Sequence, residues 1–237
     1  MKDITERLGD LSWETIAGDL DGQGYALASG VLTKKECTEL IRSYQEDGLY
    51  RKTISMERYR FGAGEYKYFR YPLPDLLQKI RQTVYPYLAP VANGWMKALK
   101  EEGHYPVTLD ALLKRCQAHQ QVNPTALILQ YGEGGFNTLH QDLYGEIYFP
   151  LQLVLFLNEP GEEYTGGEFV LTEQIPRAQS KAIVLVPKRG DLLFFTTRSR
   201  PVKGTKGYYR VNMKHGVSPL RSGQRHTAGI IFHDAIN

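Results

Sequence analysis

Apolar residues recur at helical spacing in the first half of the chain. Cys37, Leu40, Ile41 and Tyr44 share one face of a helix that Thr33-Lys-Lys-Glu36 opens as a capping box and Gly48 closes. Leu76, Leu77, Ile80, Val84, Leu88, Val91 and Trp95 mark a second helix, which Pro86 and Pro90 should kink or break. A third is expected from about Leu109 to His119. Residues 23–30 read as a short strand and turn, whereas residues 50–73 are aromatic and basic with no clean period.

From Thr125 the pattern changes to short apolar runs separated by turn residues. Strands are predicted at Ala126–Tyr131, Tyr148–Leu157, Glu168–Leu171, Lys181–Val186, Asp191–Thr196, Tyr208–Lys214 and Thr227–Phe232. Helices first and strands afterwards specify an α+β chain, its strands closed into a sandwich or barrel with the helices packed outside. We expect one domain over residues 1–237, with a helical part at 1–124 and a β core at 125–237 that holds the site.

Composition narrows the picture. A 237-residue chain with 42% hydrophobic content can bury one substantial core. No apolar run approaches the roughly 18 to 20 residues of a membrane span, and no apolar segment follows the charges of Met-Lys-Asp-Ile-Thr-Glu-Arg7, so we expect no membrane association and a cytoplasmic location. Cys37 and Cys116 are expected as reduced thiols. Residues 1–48 hold ten acids against five bases, while Leu192 to His233 contains eight bases and no acid. Such a segment suggests a surface that meets anions, or a solvated basic face.

The candidate chemistry lies in Leu139-His-Gln-Asp142-Leu. In an extended chain positions two apart share a face, so His140 and Asp142 can project together while Gln141 turns away. A metal needs a third ligand, and the candidates are His104, His119, His215, His226 and His233. His215 stands out at the end of the β-like run Tyr208–Lys214. Two imidazoles and one carboxylate form the ligand set of non-haem Fe(II) oxygenases, whose open positions admit a bidentate 2-oxo acid and dioxygen; zinc uses similar ligands to activate one water. Arg225 follows His215 by 225 − 215 = 10 residues and shares an extended face with Thr227. It suits the distal carboxylate of such an acid.

These residues resemble the Fe(II)/2-oxoglutarate-dependent dioxygenases, in particular the prolyl-hydroxylase-like branch. The resemblance rests on Tyr131 before His140-Gln-Asp142, Tyr164-Thr-Gly-Gly-Glu168-Phe, Arg189-Gly-Asp-Leu-Leu-Phe-Phe195, and His215-Gly-Val-Ser-Pro219 followed by Arg225-His-Thr227. More narrowly, Glu65-Tyr-Lys-Tyr-Phe-Arg-Tyr-Pro-Leu-Pro74 and Gly229-Ile-Ile-Phe-His-Asp234 resemble a bacterial group described as AlkB-like oxygenases of damaged DNA, although Arg225 stands at the prolyl-hydroxylase-like spacing. The resemblance implies a double-stranded β-helix, or cupin-like jelly roll, with iron on His140, Asp142 and His215. It implies Arg225, Thr227 and Tyr131 on 2-oxoglutarate, and coupling of its decarboxylation to C–H hydroxylation by dioxygen. Hydroxylation of an N-methyl carbon gives a hemiaminal that collapses to formaldehyde, so the net result is demethylation.

The substrate is left open among several readings. Arg58, Arg60, Tyr66, Lys67, Tyr68 and Arg70 alternate bases with aromatics, and Tyr144 flanks the metal pair. Cations and stacking planes suit alkylated DNA or RNA. The same residues suit a lid over a small molecule, amino acid or peptide, or simply the two faces of an edge strand. A further reading is a non-catalytic jelly-roll module that binds nucleic acid or protein.

Overall fold

The computed structural model describes residues 2–237. Helix α1 (Ile4–Gly9) starts from an Asp3/Glu6 capping box, and α2 (Trp13–Gln23) ends at Gly24 with φ 81°. A Cβ on Gly24 would lie 2.6 Å from Arg200 Cδ and Met213 Sδ, so both conformation and space require glycine there. Strand β1 (Tyr25–Ala28) leads to α3 (Lys34–Ser43), opened by the expected Thr33/Glu36 box. This helix stops before Gly48, because a 3-10 turn at Asp47–Leu49 feeds the chain into a strand.

The aromatic, basic stretch folds as β2 (Tyr50–Ser55), a short helix α4 (Met56–Tyr59), β3 (Gly62–Ala63) and β4 (Glu65–Phe69). Helix α5 (Asp75–Leu99) is continuous, so the expected break does not occur. Pro86 and Pro90 both lie on its exposed face, where water can satisfy the carbonyls that lose a partner. Helix α6 (Leu109–Ala118) completes the helical layer. No helix among the described residues is long and apolar enough to cross a membrane.

Eleven strands follow: β5 (Leu127–Tyr131), β6 (Phe136–His140), β7 (Leu151–Phe156), β8 (Tyr164–Gly166), β9 (Phe169–Gln174), β10 (Ser180–Leu185), β11 (Leu192–Thr196), β12 (Ser199–Gly204), β13 (Gly207–Val217), β14 (Leu220–Gly223) and β15 (Arg225–Ile231). The larger sheet runs β1-β11-β7-β15-β5-β4-β2. Opposite it stands β10-β9-β13-β6-β3, with β12 paired to β13, and β14 and β8 form a two-stranded edge. This is the double-stranded β-helix. Its larger sheet takes β1, β2 and β4 from before residue 124, so the N-terminal part supplies strands as well as helices.

Alternation along each strand divides the larger sheet into two faces. Leu151, Leu153, Leu155, Phe194, Ala228 and Ile230 pack with Leu77, Ile80, Val84 and Leu88 of α5. Phe156, Leu193 and Phe195 turn the other way and meet Phe169, Leu171 and Met213 of the opposite sheet. A buried Arg81–Asp234 pair at 2.8 Å, joined by the Tyr71 hydroxyl, ties α5 to the chain beyond β15. Three of the eight bases after Leu192 are withdrawn from the surface or neutralised: Arg200 pairs with Glu173, Arg210 with Glu101, and Arg225 is buried. That segment therefore does not form one uncompensated basic surface.

Candidate active site

Strand register creates the central cluster. Strands β13 and β6 run antiparallel with His215 opposite His140, and a register shift follows between His215 and Val217. Gly216 permits this approach, since a Cβ there would lie 2.6 Å from the Asn137 carbonyl oxygen. Asp142 follows β6 by two residues and turns its carboxylate towards both rings. Its Oδ2 lies 3.2 Å from His215 Nε2 and its Oδ1 lies 3.6 Å from His140 Nε2. One ligand atom from each of the three side chains falls within 4.8 Å of the others. The other histidines lie elsewhere: His104 lies beside Asn93 of α5, His119 pairs with Glu146, and His226 and His233 are buried outside this cluster.

Protonation fits a cation. The His140 Nδ1 donates to the Thr138 carbonyl oxygen at 2.8 Å, which turns Nε2 towards the cluster. Burial, helped by the neighbouring His140 ring, lowers the His215 pKa despite attraction to Asp142, so this imidazole is neutral. Burial opposes ionisation of Asp142, but attraction to His215 and His140 and the hydrogen bonds it accepts outweigh that and hold it well below the usual carboxylate range. A divalent metal takes a neutral imidazole and an ionised carboxylate, the states that burial gives His215 and that the surrounding donors give Asp142. The donor set suits Fe(II).

The carboxylate has a support of its own. Tyr144 donates from its hydroxyl to Asp142 Oδ1 at 2.7 Å, and the Tyr68 hydroxyl donates to Tyr144 at 3.2 Å. Above the cluster opens a cavity of about 240 Å³, walled by Phe61, Tyr66, Tyr68, Leu129, Val154 and Phe195 among others. Asp142 is the only acidic or basic residue besides the two histidines along its walls.

Arg225 lies behind this cavity rather than on its wall. The residue is 1% exposed, and its guanidinium stands 5.6 Å over the Tyr131 ring, 5.5 Å over Phe156 and 6.0 Å over Tyr164. Register places Arg225 opposite Tyr131 and Thr227 opposite Leu129, so the three expected cosubstrate residues are adjacent and buried. Asn137 donates to the Tyr131 hydroxyl at 3.3 Å and also lines the cavity, which links the arginine to the metal cluster. Arg225 Nε and Nη1 are enclosed and make no hydrogen bond. A buried cation with free donors suits an anionic ligand, and the distal carboxylate of 2-oxoglutarate fits.

The sequence places this site in a known group. Residues 64–235 match the family described as "Oxygenase, catalysing oxidative methylation of damaged DNA". The chain belongs to that family. Two Mycobacterium tuberculosis proteins whose names assign no function, from strains CDC 1551 and H37Rv, are each 46% identical to it over 167 residues, 70% of this chain and 72% of theirs. Its fold is similar to that of a Pseudomonas putida prolyl-4-hydroxylase, at a TM-score of 0.55 and 14% identity over 92% of this chain and 97% of that one. A 2OG-Fe(II) oxygenase family member from Burkholderia pseudomallei gives 0.53 and 13% over 96% and 94%. Family membership makes the protein an oxygenase rather than a non-catalytic binding module, and the His-Asp-His cluster is its candidate metal centre.

The remaining candidate residues of this oxygenase divide by strand face. Tyr66 and Tyr68 of β4 line the cavity, with Tyr144 beside them. Lys67, between them, points to the helical side, where its Nζ donates to the Tyr44 carbonyl at 3.0 Å and to Asp47 at 3.1 Å. Arg70 donates to the Tyr50 carbonyl. Arg58 and Arg60 are exposed on and just after α4, next to Tyr59 and Phe61, which form a stacked and half-exposed pair. Asn137 and Thr138, which flank the His140/Asp142 pair in sequence, are on the cavity wall, whereas sequence reasoning missed Gln152 and Phe195 there. Gln152 had a signal: it is the one polar residue in Leu151-Gln-Leu-Val-Leu-Phe-Leu157.

Proposed function

We propose that this oxygenase removes an N-alkyl group from a base of damaged nucleic acid, with His140, Asp142 and His215 as the Fe(II) ligands. Arg225, assisted by Tyr131 and Thr227, holds the distal carboxylate of 2-oxoglutarate. When bound, iron and 2-oxoglutarate supply a dioxygen-derived oxidant for an unactivated C–H bond, with succinate and carbon dioxide as coproducts. The rest is the work of the chain. Asp142 and His140 stay fixed through Tyr144 and the Thr138 carbonyl, and the aromatic walls keep water from the reacting carbon.

The observation that carries this reading is the aromatic, nearly uncharged cavity directly over the cluster. A nucleobase presents π faces to such walls, and its phosphates stay outside with the exposed Arg58 and Arg60. A second reading, hydroxylation of a peptide, amino acid or small molecule, is favoured by the scattering of the basic C-terminal residues into ion pairs and core.

Succinate release in air, with Fe(II) and 2-oxoglutarate, distinguishes them. Oligonucleotides carrying N-methylated bases should stimulate release and yield formaldehyde, whereas free amino acids and peptides should not. His140→Ala should abolish the signal. Stimulation by peptides alone would overturn the nucleic-acid reading.

A further inference from the structure

Three carboxamides line the cavity: Asn137, Gln141 and Gln152. Two are committed to the fold. Asn137 donates to the Tyr131 hydroxyl at 3.3 Å, and Gln141 donates to the carbonyls of Arg198 and Met213 at 2.9 and 2.8 Å. Gln152 differs. It is 3% exposed, its Nε2 is fully enclosed, and that Nε2 makes no hydrogen bond. Its neighbours across β7 are apolar, Ile231 on one side and Phe195 on the other. An amide buried without a partner weakens the fold, and apolar replacement at such a site is tolerated or stabilising. Among the described residues nothing pairs with this Nε2, and the side chain lines the cavity, where a ligand can meet it.

Position along the sheet identifies which ligand. Gln152 is in register with Ile231, and Phe156 with Thr227. Arg225 and Ile231 are 231 − 225 = 6 residues apart on β15, about 20 Å at ~3.4 Å per residue. A five-carbon diacid held at Arg225 is much shorter than this separation and does not extend to Gln152. The group that reaches Gln152 belongs to the substrate.

We infer that Gln152 is the specificity-determining residue of the cavity, with its carboxamide hydrogen-bonded to the polar edge of the substrate's planar head group. This rests on the nucleic-acid reading above. A carboxamide presents one donor and one acceptor in a plane, which complements the edge of a nucleobase, and Tyr66 and Tyr68 supply ring surfaces along the same cavity. Since Asp142 is the only charged group besides the histidines on these walls, the head group itself is selected by hydrogen bonds rather than by ion pairing.

The test compares the full-length native enzyme with Gln152→Leu and Gln152→Met. Substrates are single-stranded oligonucleotides with one N-methylated base, one for each of the four bases. Both variants should melt at or above the native temperature and retain the anaerobic absorption band of Fe(II) with 2-oxoglutarate. The native ratio of kcat/KM between best and worst base should shrink roughly 10-fold or more in both, the loss expected for one two-point base contact. A ratio within about twofold of the native one would overturn the inference while leaving the nucleic-acid reading intact. So would a lowered melting temperature in both variants, which would mean that the amide has a partner in the fold. If the native enzyme oxidises none of the oligonucleotides, the nucleic-acid reading itself fails, and the inference with it.

Discussion

The Tyr144 hydroxyl donates a 2.7 Å hydrogen bond to Oδ1 of Asp142, and so fixes which carboxylate oxygen faces His215. Tyr144 is itself held by Tyr68, so the Asp142 carboxylate is the end of a short chain of hydroxyls. Such outer partners orient a ligand and typically account for about 10- to 100-fold in metal affinity. Tyr144→Phe is therefore expected to weaken Fe(II) binding by about 10-fold or more, with Tyr68→Phe giving a smaller loss. Anaerobic Fe(II) titration checks this; equal affinity in Tyr144→Phe would show that the carboxylate is fixed by something else.

Gly216 controls the distance between the two histidine-bearing strands. A Cβ at this position would press on the backbone of Asn137 and Thr138, which is not a flexible side chain that could move aside. Gly216→Ala should cost about 1–3 kcal/mol through overpacking and displace His140 from His215. The expected result is a fall in melting temperature together with a loss of Fe(II) affinity that added metal restores only in part. Normal metal binding in a merely less stable protein would separate the two effects and contradict the register argument.

How much of this was legible in the sequence follows from what each residue needs. His140 and Asp142 could be paired because a strand's period is two, and Arg225 with Thr227 for the same reason. The opposition of His215 to His140 depends on the pairing of β13 with β6, and β6, Phe-Asn-Thr-Leu-His, has too few apolar residues to read as a strand. Lys67 illustrates a rule available but unused: if Tyr66 and Tyr68 face the cavity, the residue between them faces the helices. The support from Tyr144 was not legible, since a tyrosine two residues past a ligand gives no hint of where its hydroxyl points. Pro86 and Pro90 misled because sequence shows the lost hydrogen bond and not the solvent that replaces it.

Arg225 makes a prediction with opposite signs in two assays. Its Nε and Nη1 are buried without partners, so the metal-free, cosubstrate-free protein bears the cost of an unpaired cation. Arg225→Met should be neutral or stabilise that form by about 1–4 kcal/mol, as apolar replacement of buried charge often does. The same change should weaken 2-oxoglutarate binding by about 30-fold or more, the cost of removing one partner of a buried charge pair. Thermal melts with and without 2-oxoglutarate and titration of the anaerobic absorption band test both signs. Undiminished cosubstrate affinity would remove Arg225 from the proposed role.

Acid stability should depend on two histidines outside the site, in addition to His215 within it. Burial pushes His226 and His233 from 6.5 down to about 4, each with an arginine nearby acting in the same direction. The His233 Nδ1 accepts from the Phe149 amide at 3.0 Å, and protonation there would break that bond. Between pH 6.5 and 4 both rings are neutral when folded and protonated when unfolded, so the unfolded state binds more protons and stability falls as pH falls. The limiting slope is about 1.4 kcal/mol per pH unit for each histidine. Above pH 6.5 their contribution is fully present and constant. Urea unfolding of the metal-free protein across this window should show the decline, and His226→Gln should reduce the slope by up to about 1.4 kcal/mol per pH unit. A flat profile in the native protein would mean that the rings are already charged in the fold or that water reaches them.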